Sequence, residues 1–219
     1  MIARAAAETG AMGAARQAMI ERIRAYGLLD PFVLGAMGRV RREAFFPGGA
    51  PEPEIAYGDF PCAIGHGATI SQPFIVAYMT HRLDIRAGDR ALEIGTGSGY
   101  QAALLAALGA CMWTLEIVPQ LAEHARSALA REGFGDVQVR CAGGCDAWRD
   151  AGPFNAIMAT CAPKAVPAAL LDQLAEGGRM ILPCGPDADS QRLVFIRRLD
   201  GEIVVEDDMP VRFVPMIES

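Results

Sequence analysis

Hydrophobic residues recur at helical spacing in the first third of the chain, where they are mixed with charged residues. Met19, Ile20 and Ile23 lie on one side of such a stretch, as expected of an amphipathic helix. Asp30 stands where it can cap a second helix. Residues 45–67 are rich in Pro and Gly and predict an irregular segment. The spacing predicts three helices, over residues 14–26, 31–42 and 73–83.

From residue 89 onward, short apolar runs alternate with amphipathic stretches. The runs predict strands over residues 90–94, 111–116, 137–140, 155–159 and 179–183. The stretches predict helices over residues 100–108, 120–132 and 166–174. Such alternation requires a parallel sheet with helices on both faces. Two further apolar runs, 192–199 and 203–205, flank an Asp200-Gly201 turn and predict an antiparallel hairpin. The predicted fold is therefore α/β: a Rossmann-like, doubly wound, mostly parallel sheet with an antiparallel edge hairpin and an N-terminal helical segment.

Composition and charge exclude several classes of protein. The 219 residues are 52% hydrophobic and 21% charged, as in a globular α/β domain. The net charge of −6 comes with dispersed basic residues, which argues against a nucleic-acid partner. No apolar run is as long as a membrane span, and the first ten residues lack the apolar region of a secretory signal. Six cysteines without a C-x-x-C pair are expected to be reduced and buried in a cytoplasmic protein, and no metal site is predicted.

Residues 93–99 read E-I-G-T-G-S-G and follow the first predicted strand. Glycines admit positive φ and let the backbone approach a ligand closely. A helix beginning near Tyr100 would direct its free N–H groups into the same space. The alternating glycines differ from the dinucleotide pattern G-x-G-x-x-G. The segment predicts a turn that cradles a ligand, and the alternative is a glycine-rich turn that binds none.

The pattern E-x-G-x-G-x-G resembles motif I of the class I methyltransferases, which bind S-adenosylmethionine. Residues 65–73, G-H-G-A-T-I-S-Q-P, resemble the G-x-G-x-T-I-S-x-P of the protein-L-isoaspartate (D-aspartate) O-methyltransferase family. Further similar segments follow in the family's order, at residues 45–47, 152–155, 173–179 and 211–215. The resemblance implies that residues 1–85, the N-terminal helices with an active-site loop, share one domain with a cofactor-binding core over residues 86–219.

The implied cofactor is S-adenosyl-L-methionine, with S-adenosyl-L-homocysteine as its product. Glu116 ends the second predicted strand about 20 residues past the first glycine, where a carboxylate can accept both ribose hydroxyls. Its alternative is a solvated acid at a strand end. Glu93 is expected to order the glycine turn and the methionine end of the cofactor. The predicted cofactor-binding residues are Glu93, Gly95, Thr96, Gly97, Gly99, Tyr100, Glu116, Gly143 and Gly144.

Methyl transfer to a carboxylate needs no general base, because a carboxyl group with a pKa of about 4 is ionised at neutral pH. The acceptor must instead be held in line with the donor. In the family the serine of T-I-S is the active-site residue, which implies Ser71 as the catalytic residue and Thr69 as a second candidate. Ser71 also precedes Pro73, so a helix cap is the alternative. Residues 160–163 resemble the family's loop beside the methyl-transfer site, where Cys161 is expected to have a small apolar role.

Two departures from the family pattern indicate a divergent member. Residues 142–144 read A-G-G where the family has G-D-G, so Gly143 replaces an aspartate that would accept from the adenine amino group. Its loss should cost about 1 kcal/mol in cofactor affinity unless Asp146 takes its place. Asn155 is the second departure, since the family has an aspartate there.

Three functions remain open at this stage. The first is repair of damaged proteins by methylation of the free α-carboxylate of L-isoaspartyl residues. The second is methylation of a dedicated peptide or a small carboxylic acid, and the third is binding without turnover. The resemblance implies isoaspartyl peptides or proteins as partners, with residues 211–215 offering backbone hydrogen bonds to an extended peptide. We expect no nucleic-acid or membrane partner and favour a monomer.

Overall fold

The computed structural model describes residues 2–143, 145 and 148–217. Its N-terminal part consists of helices and one small hairpin. A short 3₁₀ helix spans Arg42–Phe45. The other elements are α1 (Ile2–Ala25), α2 (Pro31–Arg39), α3 (Pro53–Tyr57), β1 (Cys62–Gly65), β2 (Ala68–Ile70) and α4 (Pro73–Leu83). Strands β1 and β2 pair antiparallel and lead directly into α4.

Strands and helices alternate from β3 onward. The elements are β3 (Arg90–Ile94), α5 (Tyr100–Ala107), β4 (Cys111–Glu116), α6 (Pro119–Arg131), β5 (Gln138–Cys141), β6 (Phe154–Ala159), α7 (Ala168–Gln173), β7 (Leu174–Cys184), β8 (Arg192–Leu199) and β9 (Glu202–Pro210). Seven strands form one sheet in the order β5-β4-β3-β6-β7-β8-β9. Strands β3 to β7 are parallel, and β8 and β9 are antiparallel at one edge. The predicted doubly wound sheet with an edge hairpin is confirmed.

Two hydrophobic clusters cover the two faces of the sheet. Leu92 and Ile94 face one cluster, whereas their neighbour Ala91 faces the other, because successive strand residues point to opposite faces. Helices α1, α2, α4, α5 and α6 contribute to the cluster on the Ala91 face, and α7 lies on the opposite face. The N-terminal helices therefore share a core with the sheet, so β3 is buried on both sides.

The segment predicted as irregular, residues 45–67, contains both α3 and β1. These elements have only five and four residues, too few for a periodic hydrophobic pattern to stand out. Helix α1 begins at residue 2 rather than 14, and α2 ends at Arg39 rather than 42. Strand β7 begins at residue 174 rather than 179 and pairs with β6 across an irregular register. Strand β9 continues to Pro210, five residues beyond the predicted run 203–205. The remaining predicted boundaries agree with the structure within two residues.

The six cysteines are free thiols, but two of them are exposed. Cys111 begins β4 and Cys141 ends the edge strand β5. The prediction that the cysteines are buried is confirmed for Cys62 and wrong for this pair, while the remaining three are partly exposed. Within the described part of the chain, no helix has both the length and the hydropathy that crossing a bilayer requires.

Helix α4 is capped by Asp59 and not by Ser71. The N-cap residue is Gln72, whose side chain makes no capping bond. Asp59 Oδ1 accepts the N–H of Phe74 at 3.0 Å, and Asp59 Oδ2 accepts Gln72 Nε2 at 2.9 Å. Proline at the first helical position places the cap one residue before it, so Ser71 stands one residue too early. The capping alternative for Ser71 is therefore wrong.

We expect Asp59→Ala to lower the free energy of unfolding by about 1 kcal/mol, because the Phe74 N–H loses its acceptor. Ser71→Ala should change that free energy by less than about 0.5 kcal/mol, since it removes no cap. Urea denaturation followed by circular dichroism measures both effects. An equal loss in the two variants would contradict this assignment of the cap.

Candidate active site

Two adjoining cavities lie at the carboxyl ends of β3, β4 and β6. The larger has a volume of about 400 Å³ and the smaller about 30 Å³. Thr69, Gly95, Gly97 and Thr160 line both cavities, so the two spaces meet there. Strand order reverses between β3 and β6, and open α/β sheets bind ligands at this kind of switch point. The larger cavity is of the size that holds a small-molecule ligand.

The glycine turn between β3 and α5 forms the floor of both cavities. Gly95 and Gly97 have φ angles of 93° and 52°, which favour glycine. A Cβ atom at Gly95 would stand 2.7 Å from Thr160 Oγ1, closer than the fold allows. Thr160 Oγ1 donates to the Gly95 carbonyl at 2.5 Å. The turn therefore requires glycine at position 95 because β6 approaches it so closely.

Gly99, the third glycine of the turn, packs against α6 and not against Thr160. A Cβ atom at Gly99 would lie 3.3 Å from Ala125 Cβ and 3.4 Å from Leu129 Cγ, both on α6. Gly99 is the N-cap of α5 in the left-handed conformation and lines neither cavity. Its position brings α5 close to α6. Binding of a cofactor by Gly99 stays a prediction, while its packing role is evident.

Glu116 ends β4 and lines the larger cavity. Its Oε2 accepts the N–H of Gly97 at 2.7 Å, and its Oε1 accepts the N–H of Val118 at 3.0 Å. A carboxylate has about four lone-pair sites on its two oxygens. Two of them hold the backbone, so the others are available to ligand hydroxyl groups. Glu116 thus fixes the glycine turn and presents a carboxylate to the cavity, which a solvated strand-end acid would not do.

Glu93 is fully buried in the wall of the smaller cavity. Thr114 Oγ1 donates to Glu93 Oε2 at 2.6 Å, and Thr114 Oγ1 lies 2.7 Å from Thr96 Oγ1. Glu93 Oε1 has no hydrogen-bond partner in the described structure. Burial raises the pKa of Glu93 to about 8, the Thr114 bond opposes this rise, and the charge of Glu116 adds to it. Glu93 was expected to order the glycine turn, but it reaches the turn only through two threonines.

Thr69 and Ser71 both line the smaller cavity, Thr69 from β2 and Ser71 from the two-residue segment that joins β2 to α4. Thr69 also lines the larger cavity and so stands where the two meet. The β1–β2 hairpin holds one end of this segment, and Asp59 holds the other through Gln72. The predicted catalytic pair is therefore brought against Gly95, from the opposite side of the site.

Tyr100 is buried and lines the smaller cavity. Its N–H donates to Ser98 Oγ at 3.2 Å, and its ring contacts Phe45 with 5.8 Å between the ring centroids. The first N–H of α5 is thus already bonded within the turn, and cofactor binding by Tyr100 stays a prediction. Gly143 lines the larger cavity, whereas Gly144 and Asp146 lie outside the described residues.

The other departure from the family pattern lies far from the cavities. Asn155 Oδ1 accepts the N–H of Arg90 at 2.9 Å, which joins the beginning of β3 to the beginning of β6. This is the amino end of the strands, opposite to the site.

Burial raises the pKa of the Cys161 thiol to about 12, so it is a protonated, weakly polar group at the cavity wall.

Sequence reasoning missed two polar residues of the site. Gln101 lines the smaller cavity and donates to Thr80 Oγ1 at 3.0 Å. His66 lines the larger cavity from the tip of the β1–β2 hairpin, with a φ of 52° between two positive-φ glycines. The G-H-G sequence was the available signal for His66, since it marks a tight turn. Gln101 carried no signal, because its cavity forms only when α4 packs against α5.

The C-terminal segment covers the larger cavity, where residues 214–217 form part of its wall. Ala162 N donates to the Val214 carbonyl at 2.8 Å, and Met216 N donates to the Ala162 carbonyl at 2.8 Å. Gln191 bonds both the N–H and the carbonyl of Phe213. These backbone groups hold the segment to its own chain. The predicted backbone hydrogen bonds to a peptide would have to come from the remaining groups of residues 211–215.

The larger cavity lies where the strand order of a doubly wound sheet reverses, and Glu116 ends the neighbouring strand β4. These features define a class of α/β proteins that bind a ligand at the carboxyl ends of their strands. Comparison with known proteins shows to which family of this class the chain belongs. The family model described as protein-L-isoaspartate(D-aspartate) O-methyltransferase matches residues 14–219. The chain belongs to this family, and the resemblance found in the sequence is confirmed.

Similar proteins agree along nearly the whole chain. A protein-L-isoaspartate O-methyltransferase of Gloeobacter violaceus is 47% identical over 196 residues, covering 90% of this chain and 95% of that protein. One from Myxococcus xanthus is 48% identical over 194 residues, covering 87% and 91%. The crystal structure of such a protein from Plasmodium falciparum, in complex with S-adenosyl-L-homocysteine, superimposes with a TM-score of 0.80 at 25% identity. It covers 93% of this chain and 99% of the other.

The buried Glu93 should make stability depend on pH. The pKa of Glu93 is about 8 in the folded protein and has its ordinary value of 4.5 in the unfolded chain. Between these values the folded state binds more protons, so the free energy of unfolding falls as pH rises. Glu93→Gln keeps a neutral side chain and should flatten this fall between pH 4.5 and 8.

Urea denaturation at several pH values measures the two slopes. Glu202→Gln, which removes an exposed carboxyl from β9, should keep the slope of the parent. Equal slopes for the parent and Glu93→Gln would show that Glu93 is ionised in the folded protein throughout this range.

Proposed function

We propose that this protein transfers a methyl group from S-adenosylmethionine to the free α-carboxylate of L-isoaspartyl residues in damaged proteins. The observation that carries the proposal is the junction of the two cavities at Thr69, Gly95, Gly97 and Thr160. The larger cavity contains the strand-end carboxylate, and the smaller contains Ser71. A donor in one space and an acceptor in the other would meet at this junction.

The residues of the larger cavity fit the cofactor. Glu116 retains lone pairs for the two ribose hydroxyls, and the glycine turn lets the backbone approach the ligand. Ile117, Ala142 and Gly143 provide an apolar wall beyond Glu116, suited to the flat adenine ring. When bound, S-adenosylmethionine supplies a sulfonium methyl group as the electrophile. Gly143 contributes no carboxylate to the adenine end, and we therefore expect moderate affinity.

The smaller cavity fits a carboxylate acceptor that needs no base. None of the described residues lining it is His, Lys or Arg, and the one carboxyl group, Glu93, has a pKa raised to about 8 by burial. The neutral hydroxyl of Ser71 can donate a hydrogen bond to the acceptor and orient it. Thr69 can do the same from the junction. Enclosure by Tyr100 and Val76 reduces solvation of the two opposite charges.

We further propose that the partners are peptide segments and not nucleic acids, because the net charge is −6 and the described residues of the cavity walls include no cluster of Lys or Arg. A monomer and a cytoplasmic location remain our expectations. The side of residues 211–215 away from Ala162 would contact the peptide. In such a monomer, the single chain would carry a complete active site.

The proposed function is tested with a pair of peptides. Labelled S-adenosylmethionine is offered with an isoaspartyl peptide and with its normal aspartyl twin. We expect methyl incorporation into the isoaspartyl peptide alone. Equal incorporation into both, or incorporation only into a free small carboxylic acid, would contradict protein repair. Binding of S-adenosylhomocysteine without any methyl transfer would indicate a protein that binds without turnover.

Glu116→Ala should weaken binding of S-adenosylhomocysteine about tenfold or more, because a bond to a charged acceptor contributes about 1.5–3 kcal/mol. The same change releases the N–H of Gly97 and loosens the turn. Isothermal titration calorimetry measures the affinity. Glu123→Ala, an exposed change on α6, is the control. An unchanged affinity in Glu116→Ala would place the ribose elsewhere.

Ser71→Ala should lower the rate of methyl transfer while leaving cofactor affinity intact, because the hydroxyl orients the acceptor. Loss of one aligned hydrogen bond can raise the barrier by about 2–4 kcal/mol. Ser71→Thr keeps a neutral hydroxyl and should retain part of the rate. Ser71→Asp places a negative charge beside an anionic acceptor and should abolish it. A single-turnover assay with calorimetry separates rate from affinity, and a parental rate in Ser71→Asp would exclude this role for Ser71.

A further inference from the structure

Arg42 is fully buried between the N-terminal helices and α5. Its Nε donates to the Ala56 carbonyl at 2.8 Å. Its guanidinium carbon lies 5.2 Å from the centre of the Tyr100 ring and 5.9 Å from that of Phe46. Neither Nη1 nor Nη2 has a hydrogen-bond partner among the described residues.

This environment is unfavourable for a positive charge. Burial lowers the pKa of Arg42, and its interactions with Tyr100, Cys62 and Tyr57 offset only part of the cost of desolvation. An apolar side chain of similar volume would fill the same space without burying a charge. The contribution of Arg42 to stability is therefore a weak explanation for its presence, and its geometry suggests a different role.

On the acceptor side, Arg42 holds the segment that leads to Ser71. Ala56 lies in α3, and Asp59, three residues later, bonds Gln72 and the N–H of Phe74. Burial raises the pKa of the Cys62 thiol, and the Arg42 guanidinium opposes that rise, so the two groups are neighbours. Cys62 is the first residue of β1. Arg42 thus contacts both ends of the short segment before the β1–β2 hairpin.

On the donor side, Arg42 contacts the residue that begins α5. Tyr100 follows the glycine turn directly, and its N–H donates to Ser98 Oγ within that turn. Phe45, from the same 3₁₀ helix as Arg42, also contacts the Tyr100 ring. A single guanidinium therefore contacts α3 and the beginning of β1 on one side and the first residue of α5 on the other.

We propose that Arg42 is a positioning residue for methyl transfer: it fixes the distance between the hairpin segment with Thr69 and Ser71 and the glycine turn. This inference rests on the proposed function for its chemical consequence. An in-line displacement is sensitive to that distance, and a shift of about 1 Å can cost about 100-fold in rate. Lysine cannot replace the function, because one compact ammonium group cannot donate to Ala56 and stack on Tyr100 together.

We expect Arg42→Met and Arg42→Lys to lower kcat about 10- to 100-fold while affinity for S-adenosylhomocysteine stays that of the parent. The matched control is Arg179→Met. Arg179 is also mostly buried, and it pairs with Asp89 at 2.5 Å near the amino ends of the strands, away from both cavities. It should lose stability without losing kcat. All assays are run at a temperature where every variant is folded.

Chemical rescue provides a second readout that a purely structural role would not change. Millimolar guanidinium should restore part of the kcat of Arg42→Ala and leave unchanged the kcat of Arg179→Ala, which should already equal that of the parent. A parental kcat in Arg42→Met, or an equal loss of kcat in Arg179→Met, would overturn the proposal.

Failure of the proposed function is recognised separately, since the parent protein would then not methylate the isoaspartyl peptide. In that case hydrogen exchange over residues 59–74 decides the positioning role. Faster exchange there in Arg42→Met than in Arg179→Met supports it, and equal exchange overturns it.

Discussion

The site depends on the close approach of three parallel strands at Gly95. The Gly95 N–H donates to the Leu115 carbonyl of β4 at 2.8 Å, and Thr160, after β6, donates to the Ile94 carbonyl at 2.9 Å and to the Gly95 carbonyl at 2.5 Å. These bonds bring the ends of β3, β4 and β6 together where the strand order reverses. No side chain fits between Gly95 and Thr160, so the space above the turn remains open for a ligand.

Two buried acids on neighbouring strands have different roles because their donors differ. Glu116 accepts two backbone N–H groups and lines the larger cavity, which suits an acceptor of ligand hydroxyl groups. Glu93 accepts one hydroxyl and is completely enclosed, and burial raises its pKa to about 8. The sheet therefore places Glu116 at the larger cavity and a largely neutral Glu93 carboxyl at the smaller one.

Much of the fold could be predicted because apolar strands and amphipathic helices alternate regularly from residue 89 onward. Strands β3 and β4 and helix α4 begin and end as predicted, and the Asp200-Gly201 turn joins β8 to β9. Short elements could not be predicted in the same way: α3 and β1 lie in a segment rich in Pro and Gly. In the site, Glu116, Gly95 and Thr69 were predicted and lie at the cavities. Gln101 was not, because it has no motif of its own and faces the site only through packing.

The sequence by itself determined the order of strands and helices, the glycine turn and the family, since these depend on local pattern and on residues in fixed succession. The tertiary structure decided which neighbours those residues have. In the structure Asp59, and not Ser71, caps α4. The N–H of Gly97 in the glycine turn donates to Glu116 and not to Glu93. Arg42 packs against the ring of Tyr100. Each of these contacts joins residues between 15 and 58 positions apart in the chain. Contacts at such separations follow from how helices and strands pack, and no local pattern encodes them.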